Sequence, residues 1–162
     1  MIILGIDPGY AIVGYGLIRY ERAKFEVLHY GAITTAAKQP FEERLKIIHE
    51  GMCYLLDNFH PQAMAIERLY FTSNQKTAID VAQARGVMLL SAIERQVPIF
   101  EYTPLQVKQA VVGYGKAVKK QVMEMTRMIL HLKEVPKPDD TADALAIAIC
   151  HAHSAGSRLR ML

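Results

Sequence analysis

The stretch MIILGIDPGYAIVGYG, Met1 to Gly16, decides the fold. Ile2, Ile3, Leu4 and Ile6 form an apolar run that carries one charge, Asp7, and breaks at Pro8-Gly9. An apolar run bounded by turn residues reads as a strand buried on both faces, the centre of a sheet. Pro8 removes a backbone donor and Gly9 permits a positive φ, so the strand ends there and the chain reverses. A second strand, Ala11 to Ile18, follows at once, and a hairpin is the simplest return. Asp7 is thereby held at the end of a central strand, beside a glycine turn that leaves room for a ligand. On this stretch alone, a carboxylate that merely bonds its own turn fits equally well.

The bulk properties narrow the class. The 162 residues, 51% of them hydrophobic, fit a single domain with a proper core. Residues 1–155 are assigned to it and 156–162 to a flexible tail. A net charge of +3 does not by itself mark a nucleic-acid binder. Cys53 and Cys150 sit in helical patterns, without metal-ligand spacing or the density of a disulfide framework. The N-terminus lacks a basic leader and its apolar run is interrupted by Asp7-Pro8, which argues against a signal peptide or membrane span. A soluble cytoplasmic protein is expected.

Beyond the hairpin, Phe25 to Thr34 reads as a third strand, rich in aromatic and β-branched residues. Phe41, Leu45, Ile48, Met52, Leu55 and Phe59 recur at helical spacing, predicting a helix over 41–59 that Pro61 stops. Ala63 to Glu67 is a short apolar strand that, like the first, ends in a carboxylate. A polar loop around Tyr70 to Gln75 leads into a long helix ending near Arg95. Its apolar arc is wider than one sheet contact requires, which suits burial against a second subunit as well as a sandwich within one domain. Gly86 within it suggests close packing.

Pro98 to Tyr102 reads as the fifth strand. Thr103 and Pro104 open a short helix as N-cap and first residue. A loop, Gly113-Tyr114-Gly115, follows. The next helix sets Val118, Val122, Met125, Ile129 and Leu132 on one face and Lys116, Lys119, Lys120 and Arg127 on the other. From Lys108 to Lys133 there are six Lys and Arg against one acid, Glu124, a local +5 that exceeds the charge of the whole chain. A basic helix face is often only solvated surface, but one joined to a glycine loop favours a polyanion. Pro136 and Pro138 break the chain before a last helix that starts at Asp139.

Three hairpin-joined strands followed by strand–helix alternation make a five-stranded mixed sheet flanked by helices, an RNase H-like α/β arrangement. It places the ends of the first and fourth strands side by side. Four carboxylates then converge: Asp7 and Glu67 from strand ends, Asp140 and Asp143 from one helix turn. Four ionised acids in one cleft repel one another and call for cations. Hard divalent ions such as Mg²⁺ take oxygen ligands, and two of them ~3.5–4 Å apart can drive phosphodiester hydrolysis. Each acid also has an ordinary account. Helix N-termini favour Asp139 and Asp140, and Glu67 has Arg68 or Arg85 in reach of an ion pair. His151 and His153 cannot share a helix face, so they are expected at the surface or helix end and not on a metal.

The motifs GIDPG (5–9), AIE (65–67), QARGV (83–87), VKQAVVGYG (107–115) and DDTADALAIAICH (139–151) together resemble the RuvC family. Its members are bacterial crossover junction endodeoxyribonucleases that resolve Holliday junctions. The likeness runs in order from residue 2 to about residue 153. It implies a homodimer that makes paired nicks in a four-way DNA junction with two Mg²⁺ or Mn²⁺ per active site, in recombination and repair. The branch-migration complex RuvA–RuvB is the implied partner. Asp7, Glu67, Asp140 and Asp143 match the family's catalytic and metal-binding carboxylates, and Asp139 is left to capping. Lys108 and Lys119 match basic residues near the scissile phosphate, with Lys116 and Lys120 as further DNA contacts. Tyr70 or the adjacent Phe71 stands where the family stacks an aromatic ring on a junction base.

Three other readings remain open at this point. They are an ATP-binding actin-like protein, a junction-binding module without catalysis, and a nuclease for RNA–DNA hybrids. The chain is short for two actin-like lobes, four intact acids argue against a vestigial site, and the five motifs disfavour the hybrid nuclease.

Overall fold

The computed structural model describes residues 1–69 and 75–159, without the side chains of 75–76 and 156–159. Strands β1 (Ile2–Asp7), β2 (Ile12–Glu21) and β3 (Lys24–Thr34) come first, then helix α1 (Phe41–Phe59) and strand β4 (Ala63–Glu67). Helix α2 (Gln75–Glu94) and strand β5 (Ile99–Tyr102) follow, then α3 (Pro104–Val112), α4 (Lys119–Ile129) and α5 (Asp139–Leu159). The sheet order is β3-β2-β1-β4-β5. β1 runs antiparallel to β2 with Asp7 opposite Gly14, and parallel to β4 with Ile6 beside Ile66. β4 in turn runs parallel to β5. β1 is therefore the central strand, and its carboxylate end lies against that of β4. The expected RNase H-like arrangement is what forms.

Each face of the sheet has its own core. Ile3, Ile18 and Ala65 pack under α5 with Val107, Val122 and Leu145. Leu4, Ile6, Leu17, Met64 and Ile66 pack against α1 and α2 through Ile48, Met52 and Met88. Two-sided burial explains why β1 and β4 read as continuous apolar runs, since neither face tolerates a polar residue. Each such side chain contributes about 1.5–3 kcal/mol on leaving water.

Helix α5 lies unusually close to the sheet. A Cβ on Gly5 would stand 2.1 Å from the Ala144 carbonyl oxygen, and one on Gly14 would stand 2.0 Å from that of Asp140. Only glycine fits there. The N-terminal turns of α5 are thereby pressed onto the ends of β1 and β2, which fixes where Asp140 and Asp143 emerge. The α3 start is built as the sequence predicts: the Thr103 hydroxyl accepts from Gln106 N–H at 3.1 Å, and the Gln106 side chain accepts from Thr103 N–H at 2.9 Å.

Several expectations are corrected. Helix α5 runs on to Leu159, so its backbone enters the 156–162 segment. Residues 160–162 lie outside the described residues. Among the described residues Gly86 has no close neighbour; a Cβ there would find open space. His151 is buried, not superficial, with Nδ1 2.8 Å from the Tyr102 hydroxyl and its ring against Phe100. Val118 is exposed instead of joining the buried face of α4, because it precedes the helix as its cap. Asp139, assigned to capping, lies in the first turn of α5. It is the first helical residue, and its carboxylate bonds Lys137 at 3.1 Å.

Candidate active site

Asp7 and Glu67 end adjacent parallel strands, so they open on the same edge of the sheet. The first turns of α5 cross above that edge and add Asp143. The N-terminal half of α3 and the start of α4 form the opposite wall. Together they enclose a cavity of about 260 Å³ lined by Asp7, Glu67, Asp143, Lys108 and Lys119, over an apolar floor of Val107, Val122 and Ile147. Asp140 is not part of this lining. Its negative charge still acts on Asp7.

The electrostatics of the cluster are those of crowded acids. Burial first, then the charges of Glu67, Asp143 and Asp140, push the Asp7 carboxyl up from 3.8 to about 8. Glu67 is raised as well, by burial and then by Asp143. Lys119 opposes both shifts. Its ammonium sits 2.8 Å from Asp143 Oδ2 and 3.9 Å from Asp139 Oδ2, and the bond to Asp143 lifts its own pKa. Glu67 does not take the structural ion pair that Arg85 offered. Arg85 donates from Nη2 to Glu101 at 2.6 Å and reaches only the Glu67 backbone carbonyl, at 3.4 Å.

The donor set suits hard divalent cations: carboxylate oxygens only, partly buried, with more negative charge than one lysine offsets. As the side chains stand, Lys119 occupies part of that role. Among the described residues no three His, Cys, Asp or Glu side chains are arranged as they would be around one ion. Lys108 lines the cavity, while Lys116 and Lys120 lie outside it as exposed charges at the head of α4. Tyr70 and Phe71 lie outside the described residues.

One buried charge beside the turn that follows Asp7 was missed in the sequence. Arg44 is buried, with its guanidinium 4.6 Å from the centre of the Tyr10 ring. It donates to Thr35 Oγ1 at 2.8 Å and to the Tyr10 carbonyl at 3.3 Å, clamping the turn that follows Asp7. The signal was present: Arg44 falls in helical register with Ile48 and Met52, where a charge is out of place.

Comparison with known proteins bears on this geometry. The family model for "Crossover junction endodeoxyribonuclease RuvC" matches residues 3–151. The chain belongs to the RuvC family. The RuvC of Alkaliphilus metalliredigens is 56% identical over 154 residues, covering 95% of this chain and 94% of that one. The RuvC of Clostridioides difficile is also 56% identical, over 95% of this chain and 91% of its own. Among solved structures, Thermus thermophilus RuvC in complex with Holliday junction substrate superposes with a TM-score of 0.91 at 41% identity. That match covers 96% of this chain and 94% of the other. The fold is thus that of RuvC, an RNase H-like nuclease, and the carboxylate cavity belongs to a family of crossover junction endodeoxyribonucleases.

Proposed function

We propose that this RuvC-family chain resolves four-way DNA junctions as a homodimer, making paired nicks by metal-assisted phosphodiester hydrolysis in recombination and repair. The observation that carries the reading is the meeting of Asp7, Glu67 and Asp143 with Lys108 and Lys119 in one cavity. Asp7, Glu67, Asp140 and Asp143 are the residues that would hold Mg²⁺ or Mn²⁺, two per site. When bound, such ions supply Lewis-acid assistance and a water nucleophile of lowered pKa. The chain's own residues do the rest. Lys108 stands on the α3 wall, where it can meet the charge of the scissile phosphate. Lys119, on the α4 wall, can exchange its bond to Asp143 for a phosphate oxygen as the strand enters. Lys116 and Lys120 extend the positive surface along the DNA backbone, which makes binding fall steeply with salt. Tyr70 or Phe71 would stack on a junction base.

The dimer reading is supported by α2. Ile79, Leu90 and Ile93 are each more than half exposed, and Gly86 faces open space between them. At about 100° per residue, all four positions fall within an arc of ~60° on the helix. A stripe of large apolar residues in water around a flat glycine suits a second copy of the same helix, and a two-fold dimer matches a pseudo-two-fold junction. No described helix is long and apolar enough to cross a membrane. We place the protein in the cytoplasm with RuvA–RuvB as its branch-migration partner, on the family's account.

Asp143→Asn tests the assignment of the acids. Junction cleavage is expected to fall at least ~10³-fold in Mg²⁺ while junction binding changes less than about three-fold. Loss of binding together with cleavage would make the acids structural.

A further inference from the structure

The loop between α3 and α4 exposes Tyr114 between two glycines. Gly113 closes α3 at φ +94°, donating its N–H to the Gln109 carbonyl at 3.0 Å. A Cβ on Gly115 would lie 2.2 Å from Leu105 Cδ1, so the loop is seated against the first turn of α3. Tyr114, between them, is 48% exposed. Among the described residues nothing stacks on its ring or bonds its hydroxyl. Leu105 and Val118 are 54% and 61% exposed. Each adjoins in sequence a residue of the cavity wall, Pro104 and Lys119 respectively.

Three large apolar side chains therefore stand in water on α3 and on the loop that joins it to α4, the two elements that wall the carboxylate cavity, interleaved in sequence with Lys108, Lys116, Lys119 and Lys120. Lysines alone would suffice to hold a phosphate backbone. An exposed ring among them calls for a partner that is planar and apolar on one face and anionic beside it, which is the chemistry of a nucleotide. A base can reach such a ring only where it is splayed out of a duplex. We propose that Tyr114, backed by Leu105 and Val118, is a stacking platform for a nucleotide flanking the scissile phosphate, and thereby a specificity-determining residue for junction over duplex. This rests on the junction-cleavage reading. Lys116, next but one along the loop, takes the phosphate of the stacked nucleotide.

The test uses the full chain and four-way junctions carrying 2-aminopurine at each position flanking the cleavage site, comparing wild type, Tyr114→Ala and Tyr114→Phe. Fluorescence is read in Ca²⁺, and cleavage of the unmodified junction in Mg²⁺. At one position the wild type and Tyr114→Phe are expected to quench the probe and Tyr114→Ala to release it. Cleavage by Tyr114→Ala should fall about ten-fold, with linear-duplex binding unchanged within two-fold. Equal quenching by all three, or a Phe variant as impaired as the Ala variant, would overturn the platform. If Tyr114→Ala melts below wild type, photocross-linking of wild-type protein to junctions with 5-iodouracil at the same positions decides. A cross-link to Tyr114 supports the platform, and cross-links that spare it overturn it. A wild type that binds but never cuts would strike the cleavage reading itself, before any variant is compared.

Discussion

Asp7 concentrates the cost of the site in a single carboxyl group. With its pKa raised to about 8, the folded chain keeps a proton that the unfolded chain releases near 3.8. Between those values the unfolded state binds fewer protons, so stability falls as pH rises through the window. Below about pH 4 both states are protonated and the effect is absent. Metal-free wild type is therefore expected to lose melting temperature steadily from pH 4 to pH 8. Asp7→Asn, which keeps the shape without the charge, should flatten that slope and melt at least ~3 °C higher at pH 8. Parallel melting curves for the two proteins across this range would contradict the crowding. Arg44 shows where a single residue escapes sequence reading. Its position on an apolar helix face was visible, but its contact with Tyr10 and Thr35 depends on a turn that only the assembled sheet supplies.

The decisive contact between elements is α5 on the sheet. β1 and β4 were legible because two-sided burial writes an unbroken apolar run, and the α1 and β4 bounds in the structure are those the periodicity predicts. The angle and height of α5 were not legible, because they rest on Gly5 and Gly14, whose meaning appears only when a helix lies over them. Gly14→Ala tests this arrangement. Its methyl group would collide with the Asp140 carbonyl, so either the fold loses about 1–3 kcal/mol or the N-terminal turn of α5 lifts. Because Asp143 rides on that turn, cleavage should fall about ten-fold or more even at temperatures where the variant is fully folded. Wild-type activity in a folded Gly14→Ala protein would show that the close approach does not position the acids. Gly86 was legible as a sign of close packing but not of its partner: among the described residues nothing approaches it, which leaves a second copy to do so.

At the scale of the whole molecule, the exposed α2 stripe and the cavity face different tasks, assembly and chemistry. If a second copy covers the stripe, Leu90→Glu places a charge in that interface and should weaken dimerisation at least ~100-fold by sedimentation equilibrium. A Leu90→Glu protein that sediments with wild type would remove α2 from the interface. The monomer should still bind junctions weakly, but cut them without pairing its nicks. The sequence announced a helix with too wide an apolar arc and left open what covered it. The structure narrows the question to one face, because Ala84, Met88 and Ala92 take the inner side. The measurement that tests the central claim most directly is cleavage of a synthetic immobile four-way junction by wild-type protein in Mg²⁺, resolved on a denaturing gel beside a linear duplex. The account predicts symmetric nicks in opposing strands at the junction and none in the duplex. Binding without cutting across several core sequences, in Mn²⁺ as well as Mg²⁺, would contradict it.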